Sequence, residues 1–546
     1  MIKKIFLLHF ILIGFTYSNN IENFSEIIVR KPDTNLINKL RRNIHIDHAH
    51  KYGNGDIQFV ASESELKRLD ELDIDYDIVV QDLESFYLSR LTDNYTREFG
   101  LGSMGGYYNF DEIVSNLDLI YSECPEIISQ KVSIGQTFEG RDIWAIKISD
   151  NPNIDEDEAE VLYTGLHHSR EPMSYMNLFY YIYWLCDNYG TNDLATNIVN
   201  NRELWFVPAI NPDGLVYNEI IAPGGGGMQR KNMRETCSSS PTGVDLNRNY
   251  DFMWGLDDQG SSGDGCNETY RGSSAFSEPE TRAIRDFIDE HNFPIAFNYH
   301  SYSNLMIYPY GYDYENTVPE DDLQTFIEYG QDMVQFNGYA LGTGTDLLYP
   351  VNGEACDWMY GEHQIFAYTP EIGSQQDGFW PATDRIVTLA EDNLYPNQFI
   401  AVHAGANIKS NLATDPGPYL QGNSYPIYVV LENIGLSESQ STTFVSLQSD
   451  DLNIEIDDIL ISSIDGRSEI DFGSIGNFTI PNSFSSGDRI TIDLILSNNQ
   501  EFTSSASISF IVGEPSIFIS DSFDSINNLD WGFSGQSNWL ISNEVF

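Results

Sequence analysis

Glu160-Val161-Leu162-Tyr163-Thr164-Gly165-Leu166-His167-His168-Ser169-Arg170-Glu171-Pro172 is the stretch whose reading decides the fold. Five mostly apolar, β-prone residues run into a polar turn, which is how a strand passes into a loop. Comparable runs recur at Leu204 to Pro208, Ala296 to His300 and Phe366 to Thr369, with helical patterns between them. Such alternation predicts an α/β fold, a sheet covered on both faces by helices. Functional residues then belong at strand ends and in the loops that follow.

Outward from this core the texture changes in both directions. At 1–18, Lys3 and Lys4 precede the apolar run Ile5 to Phe15, and small Thr16 and Ser18 follow it. That pattern is a secretory signal peptide, too short to cross a bilayer, and no transmembrane segment is expected elsewhere. Export lets the five cysteines pair, with one left over. Residues 19–100 read as a small α/β unit and linker, with strands near Ile27 to Val29, Ile57 to Ala61 and Tyr76 to Val80. Gly100, Gly102, Gly105 and Gly106 have linker composition, and Arg90 and Arg97 beside them are natural sites for proteolytic nicking. The main α/β domain is expected over 101–408. Period-two alternation in Ile427, Val429, Leu431 and in Ile492, Leu494, Leu496 predicts a β-sandwich over 409–513. A further β unit begins at 514–546 and is too short to bury its aromatic rings alone.

The chain has 28 Lys and Arg against 82 Asp and Glu, a formal charge of −54. So few cations argue against a nucleic-acid partner, because each phosphate contact needs one. The basic residues of the α/β domain are correspondingly informative. Arg170, Arg230 and Arg248 fall in the segment that also holds His168, Glu171 and His300, and together they make a local positive well on an acidic protein.

His168 and Glu171 lie three apart, so one helical turn sends both to the same side, where a ring nitrogen and a carboxylate oxygen can share one ion. His300, closing the distant strand before Ser301-Tyr302, offers a third ligand and leaves a position for water, as a catalytic Zn2+ requires. His167, whose side chain diverges from its neighbour's, is read as a packing residue.

With Gln229-Arg230-Lys231-Asn232, Asp245-Leu246-Asn247-Arg248, Tyr349-Pro350 and Thr369-Pro370-Glu371 added, the chain resembles the zinc carboxypeptidases of the funnelin family, the digestive A and B type. The resemblance covers about 107–405. It implies a mixed sheet flanked by helices, one Zn2+ per catalytic domain held by His168, Glu171 and His300, and Glu371 as general base. It implies Arg230 as the oxyanion-stabilising arginine, Asn247 and Arg248 as the clamp on the substrate's terminal carboxylate, Tyr349 as a mobile cover and Arg170 as an auxiliary guide. The unit before residue 100 takes the place of the family's inhibitory prosegment, and Cys237 with Cys266 the place of a disulfide around the Asn247-Arg248 loop. Asp245 is a candidate acceptor for the outer N–H of His168.

The expected activity is thus removal of a C-terminal residue from peptides and proteins by a secreted, monomeric enzyme, its partners being peptide C-termini. A region beyond this chain could retain it at the cell surface. Counting from Asp357-Trp358, the resemblance puts Cys356 on the floor of the side-chain pocket. A neutral floor implies broad selectivity with an apolar lean, although Glu354 and Asp346 could wall a pocket for a basic side chain and Gly344 leaves space. The alternatives are a peptidoglycan-trimming carboxypeptidase and a non-catalytic peptide-binding relative. The four residues needed for turnover are all present, which disfavours the latter.

Overall fold

Two faces of one central sheet explain why the strands of the α/β domain read as unbroken apolar runs. In the computed structural model, which describes residues 22–514 except 45, 93–99, 239–241, 316, 440–442, 453, 455–458 and 499–501, the chain divides into two compact units. One runs to Asn407 and takes in Gly435–Glu438; the other is built from Ile408–Ile434, Ser439–Asn499 and the segment from Thr503. The expected leader at 1–18 lies outside the described residues, as does all but the first residue of the expected unit at 514–546.

The first unit opens with strands β1 (Phe24–Val29), β2 (Asp47–Lys51), β3 (Ile57–Ser62) and β4 (Asp77–Val80), an antiparallel sheet in the order β2-β3-β1-β4. Ser62 starts the helix Glu63–Glu71 with a capping box closed by Glu65, so strand and helix meet without a loop. Ile27, Val29 and Phe59 pack with Leu40 and Leu69 from the two helices above them.

Among the described residues, eight strands then form the large sheet: β5 (Val132–Gln136), β6 (Asp142–Ile148), β7 (Ala159–Gly165), β8 (Arg202–Val207), β9 (Ile295–Tyr299), β10 (Leu305–Tyr308), β11 (Ala340–Thr343) and β12 (Phe366–Glu371). Their order is β11-β10-β12-β9-β7-β8-β6-β5. The four central strands are parallel, while β10 runs antiparallel to β12 and β6 antiparallel to β8, so the sheet is mixed. Val161, Tyr163, Phe206 and Phe297 face one apolar core and Leu162, Val207 and Ala296 the other. Helix Met173–Asn188 covers the first face and helices Pro279–Asp289 and Ala355–His363 the second. A strand buried on both sides has no polar alternate positions, hence the continuous apolar run.

The glycine-rich stretch expected to be a linker is packed instead. Met104 and Tyr107 are fully buried, and Gly102 and Gly106 bridge one another. Gly106 has φ +107°, and a Cβ there would fall 2.9 Å from Ile386 and Thr383, so glycine serves close approach rather than freedom. Arg90, expected to be open to proteases, donates to the carbonyls of Gln376, Asp377 and Trp380; Arg97 lies outside the described residues.

Cys237 and Cys266 are disulfide-bonded, with Cα atoms 5.0 Å apart. Cys124 and Cys186, unassigned from sequence, form a second disulfide, and Cys356 is left as a buried thiol.

Among the described residues the second unit holds two four-stranded sheets, built largely of antiparallel pairs. Ile427, Val429 and Leu431 of one and Ile490, Ile492 and Leu494 of the other are fully buried in one shared core, the arrangement of a sandwich. No helix among the described residues is long and apolar enough to cross a membrane.

Candidate active site

β7 ends at Gly165, and the next residue, Leu166, adopts the left-handed region with φ +61°. For a non-glycine residue that conformation costs about 1–2 kcal/mol. It is held by a hydrogen bond from the Leu166 N–H to Ser174 Oγ (3.0 Å) and by one from the Asn211 N–H to the Leu166 carbonyl (3.1 Å). The kink turns the chain over the end of the sheet. A turn closed by the Glu171 N–H on the His168 carbonyl (3.2 Å) then sets both side chains on one side, just before helix Met173–Asn188 begins.

His300 comes from the neighbouring strand end. Its N–H donates to the Pro370 carbonyl and its own carbonyl accepts from Ile372, both at 2.9 Å, so His300 and Glu371 stand side by side at the ends of β9 and β12. His300 Nδ1 lies 2.8 Å from Glu171 Oε2 and 3.0 Å from His168 Nδ1, which in turn lies 2.9 Å from Glu171 Oε1. Two ring nitrogens and a carboxylate thus converge in a space that buries all three side chains. Facing ring nitrogens with a carboxylate between them fit a divalent cation of the zinc type, which takes N and O ligands together.

Asp245 organises what lies behind. One of its oxygens accepts from the Asn247 N–H (3.0 Å) and meets His168 Nε2 (3.1 Å). Since that oxygen can only accept, the outer ring nitrogen carries the proton and the inner one is left as a ligand. The other oxygen takes two bonds from Arg230, from Nε at 3.2 Å and from a terminal nitrogen at 3.0 Å, and Arg230 also stands 3.8 Å from Glu171. Burial alone would raise the carboxyl of Asp245, but Arg230, His168 and Arg248 hold it well below the usual range. Glu171 is likewise held low against its burial, by His168 and His300.

Because Asp245 supports both the ligand and the arginine, Asp245→Ala is expected to destabilise the fold by about 3–5 kcal/mol and to weaken metal binding about 10- to 100-fold. Denaturant titration and calorimetric zinc titration of the same variant measure the two losses. Asp245→Asn, which keeps an acceptor, should lose less of both.

His168, Arg230, Asn247, Arg248, His300, Tyr349 and Glu371 line one pocket together with Ile307, Gly344, Val351, Glu354 and Thr369. Asn247 Oδ1 accepts from the Ala355 N–H (2.9 Å), which fixes its amide with the nitrogen 3.4 Å from His300 Nε2. Arg248 is 2% exposed, donates to the Asn247 carbonyl (2.6 Å), and its Nε has no protein partner. A buried guanidinium with an unused donor beside a pocket is an anion receptor.

Two expected positions are not among the residues that line this pocket. Cys356 is one: its thiol is buried in the second apolar core and donates to the Ala367 carbonyl (3.3 Å). Helix Ala355–His363 turns that side chain to the sheet and leaves Glu354, just before the helix, at the pocket wall. Arg170 is also outside the lining. Its guanidinium lies over Phe379 (4.3 Å), 5.7 Å from the ring of Phe24 and 3.8 Å from Glu268. His167 is a packing residue, bonded to the Tyr250 hydroxyl (2.9 Å) and stacked on His300. The wall residues Thr369 and Ile307 were not anticipated. Thr369 sits two before Glu371 on one strand and therefore on the same face, and Ile307 is its register partner on β10.

A family model described as zinc carboxypeptidase matches residues 113–396. The zinc carboxypeptidase of Saccharothrix mutabilis subsp. capreolus is 35% identical over 310 residues, 55% of this chain and 69% of that protein. Carboxypeptidase A1 of Mus musculus is 30% identical over 346 residues, covering 62% and 80%. Among solved structures, carboxypeptidase A from Helicoverpa armigera superposes with a TM-score of 0.59 at 25% identity, over 70% of this chain and 98% of that one.

Proposed function

Since the chain belongs to the zinc carboxypeptidase family, we propose that it is a secreted exopeptidase releasing one amino acid at a time from the C-termini of peptides and proteins. The observation that carries this reading is the arrangement of Arg248 and Asn247 beside the His168, Glu171 and His300 group in one buried pocket. A terminal carboxylate held by Arg248 and Asn247 places the adjoining peptide bond next to the metal ligands, and an internal bond has no carboxylate to hold. His168, Glu171 and His300 would hold the zinc, which when bound would supply an acidified water and a polarised carbonyl. Glu371 takes the proton from that water and delivers it to the departing amine. Arg230, fixed by Asp245, offers its guanidinium to the developing oxyanion without having to reorganise. Tyr349, half-buried at the pocket mouth, closes over the bound residue. The two disulfides suit an oxidising compartment.

The N-terminal unit acts as a prosegment in this reading. Phe24 stands against Arg170, Gln375 donates to Glu26, and Phe379 N–H donates to the Tyr87 hydroxyl. With Arg90 engaged by three carbonyls, trypsin is expected to cut after Arg97. N-terminal sequencing should then find Glu98 first, and mass spectrometry should show a free-acid peptide shortened by single residues. Internal fragments, or equal cleavage of an amidated peptide, would refute the exopeptidase assignment.

A further inference from the structure

Arg230 and Arg248 must each hold a charge at a fixed place. Both lie between helix Pro212–Ile221 and helix Pro279–Asp289, where the described residues form no strand and one short turn of helix, Leu246–Arg248. Such a segment is positioned by the bonds its buried polar groups make. Two asparagines make many of them here, and both lead to Glu278, which has no task in the chemistry above.

Asn232, two residues after Arg230, is fully buried. Its N–H donates to the Val244 carbonyl (3.1 Å) and its Oδ1 accepts from the Val244 N–H (2.8 Å), which ties the Arg230 segment to the residue before Asp245. The two segments run so close that a Cβ on Gly243 would fall 2.0 Å from the Asn232 carbonyl oxygen. The remaining group, Asn232 Nδ2, donates to Glu278 Oε2 at 2.8 Å and reaches Glu280 Oε2 at 3.3 Å.

Asn249, the residue after Arg248, is also fully buried. Its Nδ2 donates to the carbonyls of Arg271 (2.8 Å) and Ser274 (3.0 Å), and its Oδ1 accepts from the Thr281 hydroxyl (2.8 Å) and the Glu278 N–H (3.1 Å). Glu278 therefore meets one arginine's segment with its side chain and the other's with its backbone. It is fully buried, stands just before helix Pro279–Asp289, and makes no side-chain capping bond to it. Arg234 balances its charge, with Nε 2.6 Å from Oε2.

We infer that Glu278 is a positioning residue for both arginines of the site, setting Arg230 through Asn232 and Arg248 through Asn249. This rests on the carboxypeptidase reading. Glu278 itself is neither a lining residue of the pocket nor one of the converging ligands. The two arms serve different events. Arg230 answers charge that develops during the reaction, so displacing it costs turnover. Arg248 holds a carboxylate that is present from the start, so displacing it costs binding.

The test is steady-state kinetics on a free-acid peptide with the trypsin-treated, zinc-saturated enzyme. Glu278→Ala removes the acceptor for Asn232 but keeps the N–H that Asn249 accepts, and is expected to lower kcat about 10- to 100-fold with KM within about threefold. Asn249→Ala should do the reverse, raising KM about 10- to 100-fold with kcat within about threefold. Because Glu278 acts through Asn232, Asn232→Ala combined with Glu278→Ala should lose no more than about threefold beyond the larger single loss. Single variants that move kcat and KM alike, smaller effects in both, or a double loss equal to the product of the single losses overturn the assignment. A wild type that shortens no peptide sinks the carboxypeptidase reading instead. If a variant does not fold, residue-resolved hydrogen exchange on the wild type decides. The Val244 and Glu278 amides, whose acceptors are the two asparagines, should have protection within about tenfold of each other, and a larger gap refutes a shared brace.

Discussion

Glu371→Gln is expected to lower kcat by about 10²- to 10⁴-fold while zinc content stays at the wild-type level. Glu371 lies outside the group of three converging ligands, so its loss should not empty the metal site. Its chain neighbours Pro370 and Ile372 are locked to His300 by two sheet-like hydrogen bonds at 2.9 Å, and Glu371 is 6% exposed, so an isosteric amide will occupy the same place. What an amide cannot do is take a proton from water and pass it on. Rapid-quench or steady-state kinetics together with metal analysis on one sample separate the outcomes. Zinc loss would make Glu371 a ligand, and retained turnover would remove it from the chemistry altogether.

Arg248→Met should lower kcat/KM for a free-acid peptide by about 30- to 5000-fold, the 2–5 kcal/mol typical of truncating one partner of a buried, hydrogen-bonded charge pair. Methionine keeps much of the arginine stem, so packing against the pocket floor is largely preserved. The discriminating control is the same peptide with an amidated C-terminus. Wild type and variant should hydrolyse it at slow rates within about threefold of each other, because the guanidinium has no carboxylate to hold in either case. An equal loss on both substrates would mean that Arg248 supports the loop through its bond to the Asn247 carbonyl rather than the substrate.

Much of this is legible along the chain, for reasons that differ from residue to residue. His168 and Glu171 can be read because three residues of separation fix their relation locally. His300 and Glu371 can be read because each terminates a short apolar run, and parallel strand ends in such sheets gather on one edge. Glycine composition misleads at 100–106, since the same residue serves a loose tether and a tight crossing, and only the neighbours Ile386 and Thr383 tell them apart. Strands β10 and β11, four residues each, are too short for a periodic signal. Cys356 misleads for another reason: position in a motif specifies where the backbone runs, whereas the direction of the side chain depends on where helix Ala355–His363 begins. Arg170, read as an auxiliary guide, is enclosed by two rings from distant parts of the chain, Phe379 at 4.3 Å and Phe24 at 5.7 Å, which its position in the motif does not reveal.

His300 and Glu371 stand together at adjacent strand ends, yet the whole excursion from β9 to β12 lies between them in sequence. Ile307, Gly344, Val351 and Glu354 all belong to that excursion. The parts that do chemistry are therefore pinned by the sheet, while most of those that recognise the departing side chain hang from a detour that leaves and returns to it. Substitutions and insertions in the detour can retune preference without moving the reacting groups. For protein engineering, residues 303–365 are a cassette: a region to be exchanged between relatives as one block, with the ligand and base positions as its fixed ends.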